Sequence, residues 1–189
     1  MIVNVASRDE FPRMLNEMGL VGEGVEVGVL MGEFSSTLLS TWKCKKLHLV
    51  DRWTAYSAKE FTGTSPVQFG NDVFEKFYQD TVHRMEPFGE RASILRMDSA
   101  EAASRFEPRS LDFVYIDANH AYPFVKRDLE AWYPKVKVGG IFAGHDYMDG
   151  QGHTDNFGVK TAVDEFMSSR MLKLFLTEDN PASWFCMGA

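Results

Sequence analysis

Four aspartates follow short apolar runs, at the positions where predicted strands end. They are Asp51, Asp98, Asp117 and Asp146. Because ligands of open α/β sheets bind beyond the carboxyl ends of the strands, we expect these acids to share one ligand-binding edge. Asp117 and Asp146 follow neighbouring predicted strands, and their oxygen ligands suit a divalent metal such as Mg²⁺ or Mn²⁺. The alternative for each acid is a solvated loop position.

A turn containing two glycines, VEVGVLMGEFS (25–35), lies between a predicted strand and a predicted helix. It lacks the lysine and Ser/Thr of a phosphate-binding loop, and Leu30 stands where a dinucleotide fingerprint requires its middle glycine. Glu26 would repel an anion but favour a cationic amine, such as that of S-adenosylmethionine. The alternative is that Gly28 and Gly32 only relieve crowding between helix and strand.

The next two strand ends fit an adenosine-containing ligand. Asp51 lies 23 residues beyond Gly28, which matches the offset at which an acid binds ribose hydroxyls in this architecture. Asp98 could accept a hydrogen bond from the adenine amino group. The spacing therefore favours a nucleoside ligand with a cationic tail.

Two histidines accompany the later acids. His120 follows Asp117 by three residues and His145 directly precedes Asp146. Histidine titrates near neutral pH, so both are candidate bases for deprotonating a hydroxyl. As a metal ligand beside Asp146, His145 would shift the preference toward manganese, iron or zinc. The alternative for each is a hydrogen-bonded structural histidine.

Short apolar runs alternate with amphipathic stretches along the chain. The predicted strands are 24–29, 45–51, 91–98, 111–117, 139–147, 171–177 and 182–187, and the predicted helices are 32–42, 71–85, 99–106, 121–135 and 158–170. This alternation predicts an α/β, Rossmann-like fold: a seven-stranded, mostly parallel sheet with helices on both faces and an antiparallel last strand. We expect one domain over 1–189, with a covering helix in 1–21 and the core in 22–189.

Composition narrows the function classes. The 189-residue chain carries a net charge of −7, which argues against nucleic-acid and anionic-membrane partners. No apolar run approaches the roughly 18 residues of a membrane span, and no secretory signal is evident, so we expect a cytoplasmic protein. Cys44 and Cys186 are expected to be unpaired thiols. A small-molecule partner is favoured, and homo-oligomerisation stays open.

Several segments together resemble a known family. They are VEVGVLMGEFS, LHLVDRW, RMDSAEA, LDFVYIDANHAYPFVKRDLEAW and VGGIFAGHDY…GVKTAVDEF. Over 22–187 the chain resembles class I S-adenosylmethionine-dependent methyltransferases, in particular the small-molecule O-methyltransferase-like group with I-D-G-x-H-x-Y and G-H-D-Y motifs. It departs from that pattern at Ala118 and Asn119, where the family has glycine and usually an acid.

The resemblance implies roles for individual residues. Glu26, Gly28 and Gly32 would hold the methionine portion, Asp51 would bind the ribose with Arg52 and Trp53 beside it, Asp98 and Ser99 would face the adenine, and Asp117 would lie near the reacting methyl. The expected reaction is O-methylation of a small-molecule hydroxyl on a sugar or phenolic metabolite. A divalent metal at Asp117, His145 and Asp146 is an open alternative. So are an NAD-dependent oxidoreductase and a non-catalytic cofactor-binding protein. The connections 52–70 and 146–158 are expected to shape the acceptor pocket.

Overall fold

The computed structural model describes residues 5–55, 69–151 and 156–189. Within these ranges the helices are α1 (Phe11–Glu17), α2 (Glu33–Thr41), α3 (Asn71–Met85), α4 (Ser99–Ala103), α5 (Tyr122–Trp132) and α6 (Val159–Ser169). The strands are β1 (Glu23–Val27), β2 (Lys46–Asp51), β3 (Ala92–Arg96), β4 (Leu111–Ile116), β5 (Val136–Gly144), β6 (Asp149–Gln151), β7 (Asn156–Gly158), β8 (Phe175–Leu176) and β9 (Trp184–Met187). Short 3-10 turns occupy Arg8–Glu10, Glu86–Arg91 and Tyr133–Lys135.

A seven-stranded sheet organises the described part of the chain, in the order β3-β2-β1-β4-β5-β9-β8. β1 to β5 pair in parallel, and β9 runs antiparallel to both of its neighbours. The predicted Rossmann-like architecture with an antiparallel last strand is therefore confirmed. Because β2 and β4 flank β1, the carboxyl ends of these three strands lie side by side.

Side chains alternate between the two faces of the sheet, as the pleat requires. On one face Phe113 and Tyr115 of β4 pack with Phe11 of α1 and Leu38 of α2. The other face buries a second cluster, in which valines of β1 and β4 contact α4, α5 and α6. Helices cover both faces, as predicted.

Several boundaries differ from the sequence-based expectation. β1 ends at Val27 rather than at residue 29, because Gly28 has a φ of +89° that leaves the strand conformation. Only Phe175–Leu176 of the predicted strand 171–177 pairs with the sheet. The connection 146–158 contains a short hairpin of β6 and β7, which the pattern did not indicate. Much of the connection 52–70 lies outside the described residues.

Cys44 and Cys186 are buried and free, as expected. Among the helices of the described ranges, none is long and apolar enough to cross a membrane.

Gly28→Ala is expected to destabilise the fold more than Gly139→Ala. Both glycines have positive φ, +89° and +79°, so alanine at either position costs about 1–2 kcal/mol of backbone strain. A Cβ at Gly28 would also lie 2.0 Å from the carbonyl oxygen of Asp117, whereas at Gly139 it would meet no atom of the described residues within 4 Å. Overpacking should add about 1–3 kcal/mol at Gly28. Urea unfolding of both variants checks this difference, and equal losses would contradict it.

Candidate functional site

A cleft of about 430 Å³ opens at the carboxyl ends of β1, β2 and β4, a size typical of small-ligand sites. Its lining includes the four aspartates that follow predicted strands, Asp51, Asp98, Asp117 and Asp146, together with Glu26. The structure thus brings the predicted acids to one edge.

Asp51 holds the glycine turn in place. Its Oδ2 accepts hydrogen bonds from the backbone amides of Val29 (2.9 Å) and Leu30 (3.0 Å), and its Oδ1 accepts from the amide of Trp53 (2.9 Å). Burial raises the pKa of Asp51, and these amides oppose that rise. Asp51, which is predicted to bind the ribose, therefore also shapes the glycine turn.

Trp53 supports the turn from outside the cleft. Its indole is 1% exposed, and its Nε1 donates to the carbonyl of Leu30 at 2.7 Å. Thr81 of α3 donates to the same carbonyl at 3.0 Å, which fixes Leu30 at a φ of +53°. Gly32, with a φ of +74°, precedes α2. Gly28 and Arg52 lie on the cleft lining, whereas Trp53 and Gly32 do not.

Glu26 is a buried acid on the floor of the cleft. It projects from β1 with 2% exposure, and Ser35 at the start of α2 donates a hydrogen bond to its Oε2. Burial raises the pKa of Glu26 to about 8, against the opposing effect of Ser35. This pKa favours the protonated carboxyl near neutral pH, and an approaching cation would lower it.

A second group of polar residues lies beyond β3, at the predicted adenine end. Asp98 caps α4 by accepting from the amide of Ala100 (3.0 Å), and Arg127 donates to its other oxygen at 3.2 Å. Ser99 Oγ accepts from the indole of Trp132 at 2.9 Å. Both predicted residues line the cleft, and the hydrogen bonds fix their orientation.

Asp128 also lines this end, and the sequence analysis missed it. It is 2% exposed on α5, and burial raises its pKa to about 6, although Ser99 and Arg127 oppose the rise. The sequence did carry a signal, because Asp128 falls on the apolar stripe formed by Val125, Leu129 and Trp132. An acid on a buried helix stripe marks a site candidate.

His120 bridges two carboxylates at the ends of β4 and β5. Its Nε2 lies 3.0 Å from Asp146 Oδ2 and 3.4 Å from Asp117 Oδ1. Burial lowers the pKa of His120, but Asp117 and Asp146 outweigh that effect and raise it to about 9. Burial would raise the pKa of Asp146, but His120 and His145 lower it instead. The two carboxylates therefore favour the protonated form of the imidazole.

Asp117, His120 and Asp146 form a candidate cation site. Their potential ligand atoms lie within 4.8 Å of one another. The ring of His120 stacks on Phe157 of β7, with centroids 4.7 Å apart. His145 contacts the other oxygen of Asp146, with its Nδ1 at 3.1 Å, and lies outside this group of three. Of the two predicted histidines, His120 is the one that the structure places between the carboxylates.

Arg8 enters the same cleft from the N-terminal 3-10 turn. Its Nη1 lies 3.2 Å from Asp117 Oδ2, and its guanidinium lies 5.1 Å from the ring centre of Phe34. Arg8 is not evident as a site residue from the sequence, because its partner is 109 residues away and no local pattern links them.

Comparisons with known proteins give a matching family model and similar folds. A family model described as a methyltransferase domain matches residues 25–147. A Staphylococcus aureus protein assigned as a caffeoyl-CoA O-methyltransferase superimposes with a TM-score of 0.71 at 12% identity, covering 100% of this chain and 86% of that one. A Bacillus cereus O-methyltransferase in complex with S-adenosylhomocysteine gives 0.62 at 13% identity, covering 95% and 80%.

A Clostridium thermocellum protein assigned as an rRNA methylase gives a TM-score of 0.65 at 12% identity and covers 100% of both chains. At such identities these likenesses establish a shared fold alone. No curated protein sequence matches the chain.

Glu26→Gln is expected to change how stability depends on pH. The folded protein keeps a proton on Glu26 up to a pKa of about 8, whereas the unfolded chain releases it near 4.5. Wild-type stability should therefore fall as pH rises through this window, by at most about 1.4 kcal/mol per pH unit. Glutamine does not titrate and still offers Ser35 an acceptor, so the variant should lose less stability.

Urea unfolding of the ligand-free protein across this pH window measures the effect. Glu33→Gln, which changes an exposed carboxylate at the start of α2, is the control and should follow the wild-type profile. Parallel profiles for wild type and Glu26→Gln would show that Glu26 does not hold its proton in the folded state.

Proposed function

We propose that this chain, which belongs to the methyltransferase-domain family matched over residues 25–147, transfers a methyl group from S-adenosylmethionine to a hydroxyl of a small molecule. The family is the one that the sequence resemblance predicted. The observation that carries the donor assignment is the buried carboxyl of Glu26, which lines the cleft beside the glycine turn. It is suited to a ligand whose one end is cationic.

The residues of the cleft fit such a donor. Gly28 brings the turn so close to the backbone of Asp117 that no side chain fits between them. Glu26 would accept from the donor's ammonium group. Asp51 would accept ribose hydroxyls with lone pairs that its backbone amides leave available. Asp98 and Ser99 would face the adenine.

Methyl transfer requires orientation of the acceptor and removal of its hydroxyl proton. S-adenosylmethionine supplies a methyl group that is already activated by its sulfonium. Asp117 and Asp146 raise the pKa of His120 to about 9, which favours its protonated form and makes it poorly suited to act as a base near neutral pH. Asp117, His120 and Asp146 would instead form a cation site beside the acceptor.

The cluster also fits a divalent metal ion. Two carboxylates and an imidazole with close ligand atoms suit Mn²⁺ or a similar ion. Such an ion would lower the pKa of an acceptor hydroxyl and orient it. Asp117, His120 and Asp146 would hold the ion after His120 loses its proton, and His145 would orient Asp146 through their hydrogen bond.

A small-molecule acceptor agrees with the charge of the chain. The net charge of −7 disfavours an RNA substrate. Phe157 lines the cleft beside His120 and provides an apolar wall, which suits a phenolic ring or the apolar face of a sugar.

Binding of S-adenosylhomocysteine is expected to release a proton. The ammonium group of this product should lower the pKa of Glu26 and ionise it. Near neutral pH the calorimetric enthalpy should therefore differ between Tris and phosphate buffers, which have different ionisation enthalpies. Glu26→Gln should remove the contribution of Glu26 to proton release and weaken binding by about tenfold or more.

Thermal stabilisation provides the comparison with other ligands. S-adenosylhomocysteine should raise the melting temperature and NAD should not, because Leu30 occupies the position of the middle glycine. Stabilisation by NAD alone, or no binding of S-adenosylhomocysteine, would contradict the proposed function.

Mn²⁺ is expected to bind at the cluster, and Asp146→Asn should abolish binding because it removes one of the two carboxylates. Asp149→Asn, which changes an exposed aspartate of β6, is the control and should bind as wild type does. Titration of EDTA-treated protein, followed by the electron paramagnetic resonance of free Mn²⁺, measures both. Full methyl transfer after EDTA treatment, with no Mn²⁺ bound, would reject the metal site.

A further inference from the structure

The N-terminal segment places a cation in a cleft whose charged lining residues are mostly acids. Arg8 lies on the cleft lining with Glu26 and Asp117. Its Nη1 donates to Asp117 Oδ2, and its guanidinium packs on the ring of Phe34. These contacts put Arg8 beside the glycine turn, at the end of the cleft where Glu26 lies.

The segment that carries Arg8 is fixed to the body of the protein. The carbonyl of Ala6 accepts from the amides of Glu178 (3.0 Å) and Asp179 (3.1 Å). The amide of Arg8 donates to Asp179 Oδ2 at 3.4 Å. Phe11, at the start of α1, packs edge-on against Phe185 of β9. Arg8 therefore extends into the cleft from an anchored backbone.

The methionine portion of S-adenosylmethionine carries a carboxylate as well as an ammonium group. Glu26 can accept from the ammonium, but an acid cannot accommodate the neighbouring carboxylate. Arg127 is bound to Asp98 at the opposite, adenine end. Arg8 has five N–H donors, so it can keep its contact with Asp117 and still donate to a second carboxylate.

We propose that Arg8 binds the carboxylate of the methyl donor, so that Arg8 and Glu26 together recognise the zwitterionic amino-acid end. This inference rests on the proposed donor site and extends it to a residue from the N-terminal segment. It also accounts for the contact of Arg8 with Asp117, since the guanidinium offsets the charge of that carboxylate before the donor arrives.

Two ligands that differ only in the carboxylate test the assignment. They are S-adenosylhomocysteine and its decarboxylated analogue, which keeps the ammonium group and the adenosine. Arg8→Met should weaken binding of S-adenosylhomocysteine about ten- to a hundredfold and leave binding of the analogue unchanged. Arg8→Lys should give an intermediate loss, because lysine keeps the charge without the planar fork.

Arg13→Met is the matched control. Arg13 lies on α1 of the same segment, is 76% exposed and pairs with Glu17, so this variant should bind both ligands as wild type does. Calorimetry gives the affinities, and circular dichroism checks folding. If Arg8→Met does not fold, the affinities of Arg8→Lys for the two ligands are compared with those of wild type instead.

The outcomes separate the two proposals. If wild type binds neither ligand, both the proposed donor site and the proposed role of Arg8 are rejected. If wild type binds both ligands and the Arg8 variants weaken both equally or neither, the donor site stands but Arg8 does not bind the carboxylate.

Discussion

The site depends on a close approach of two backbones at Gly28. The amide of Gly28 donates to the carbonyl of Val50 at 2.9 Å, and the amide of Asp117 donates to the carbonyl of Val27 at 2.7 Å. These bonds join the ends of β1, β2 and β4 at one point. A side chain at Gly28 would push β4 away from β1. The separation between Glu26 and Asp117, and hence the shape of the cleft floor, follows from this contact.

Bringing so many acids to one edge requires compensation for their mutual repulsion. The protein uses a different means at each strand end. Burial favours a proton on Glu26, Asp51 accepts hydrogen bonds from backbone amides, and Asp117 and Asp146 both contact the imidazole of His120. A cation from a ligand could take the place of the proton at Glu26, and another could take the place of the proton at His120. The cleft is thereby prepared for positive charge at two places, one beside the glycine turn and one at the ends of β4 and β5.

The sequence predicted the features that local patterns encode. The spacing of apolar residues predicted most of the strands and helices. The acids at strand ends located the cleft, because parallel topology brings those ends together. Contacts between distant segments were not predictable in this way. Arg8 meets Asp117 only through tertiary packing, and adjacency to Asp146 in sequence favoured His145 although His120 lies between the carboxylates. The β6–β7 hairpin is too short to leave a periodic pattern.

Asp51 shows that position at a strand end does not by itself assign a role. Its oxygens accept the amides of Val29, Leu30 and Trp53, so asparagine there would direct an NH₂ group toward at least one amide donor. Loss of ligand binding in such a variant would combine a lost ribose contact with a displaced glycine turn. Glu26 is different, because glutamine can still accept from Ser35 while the charge is removed. Of Asp51 and Glu26, it is therefore Glu26 whose substitution reports more directly on the ligand itself.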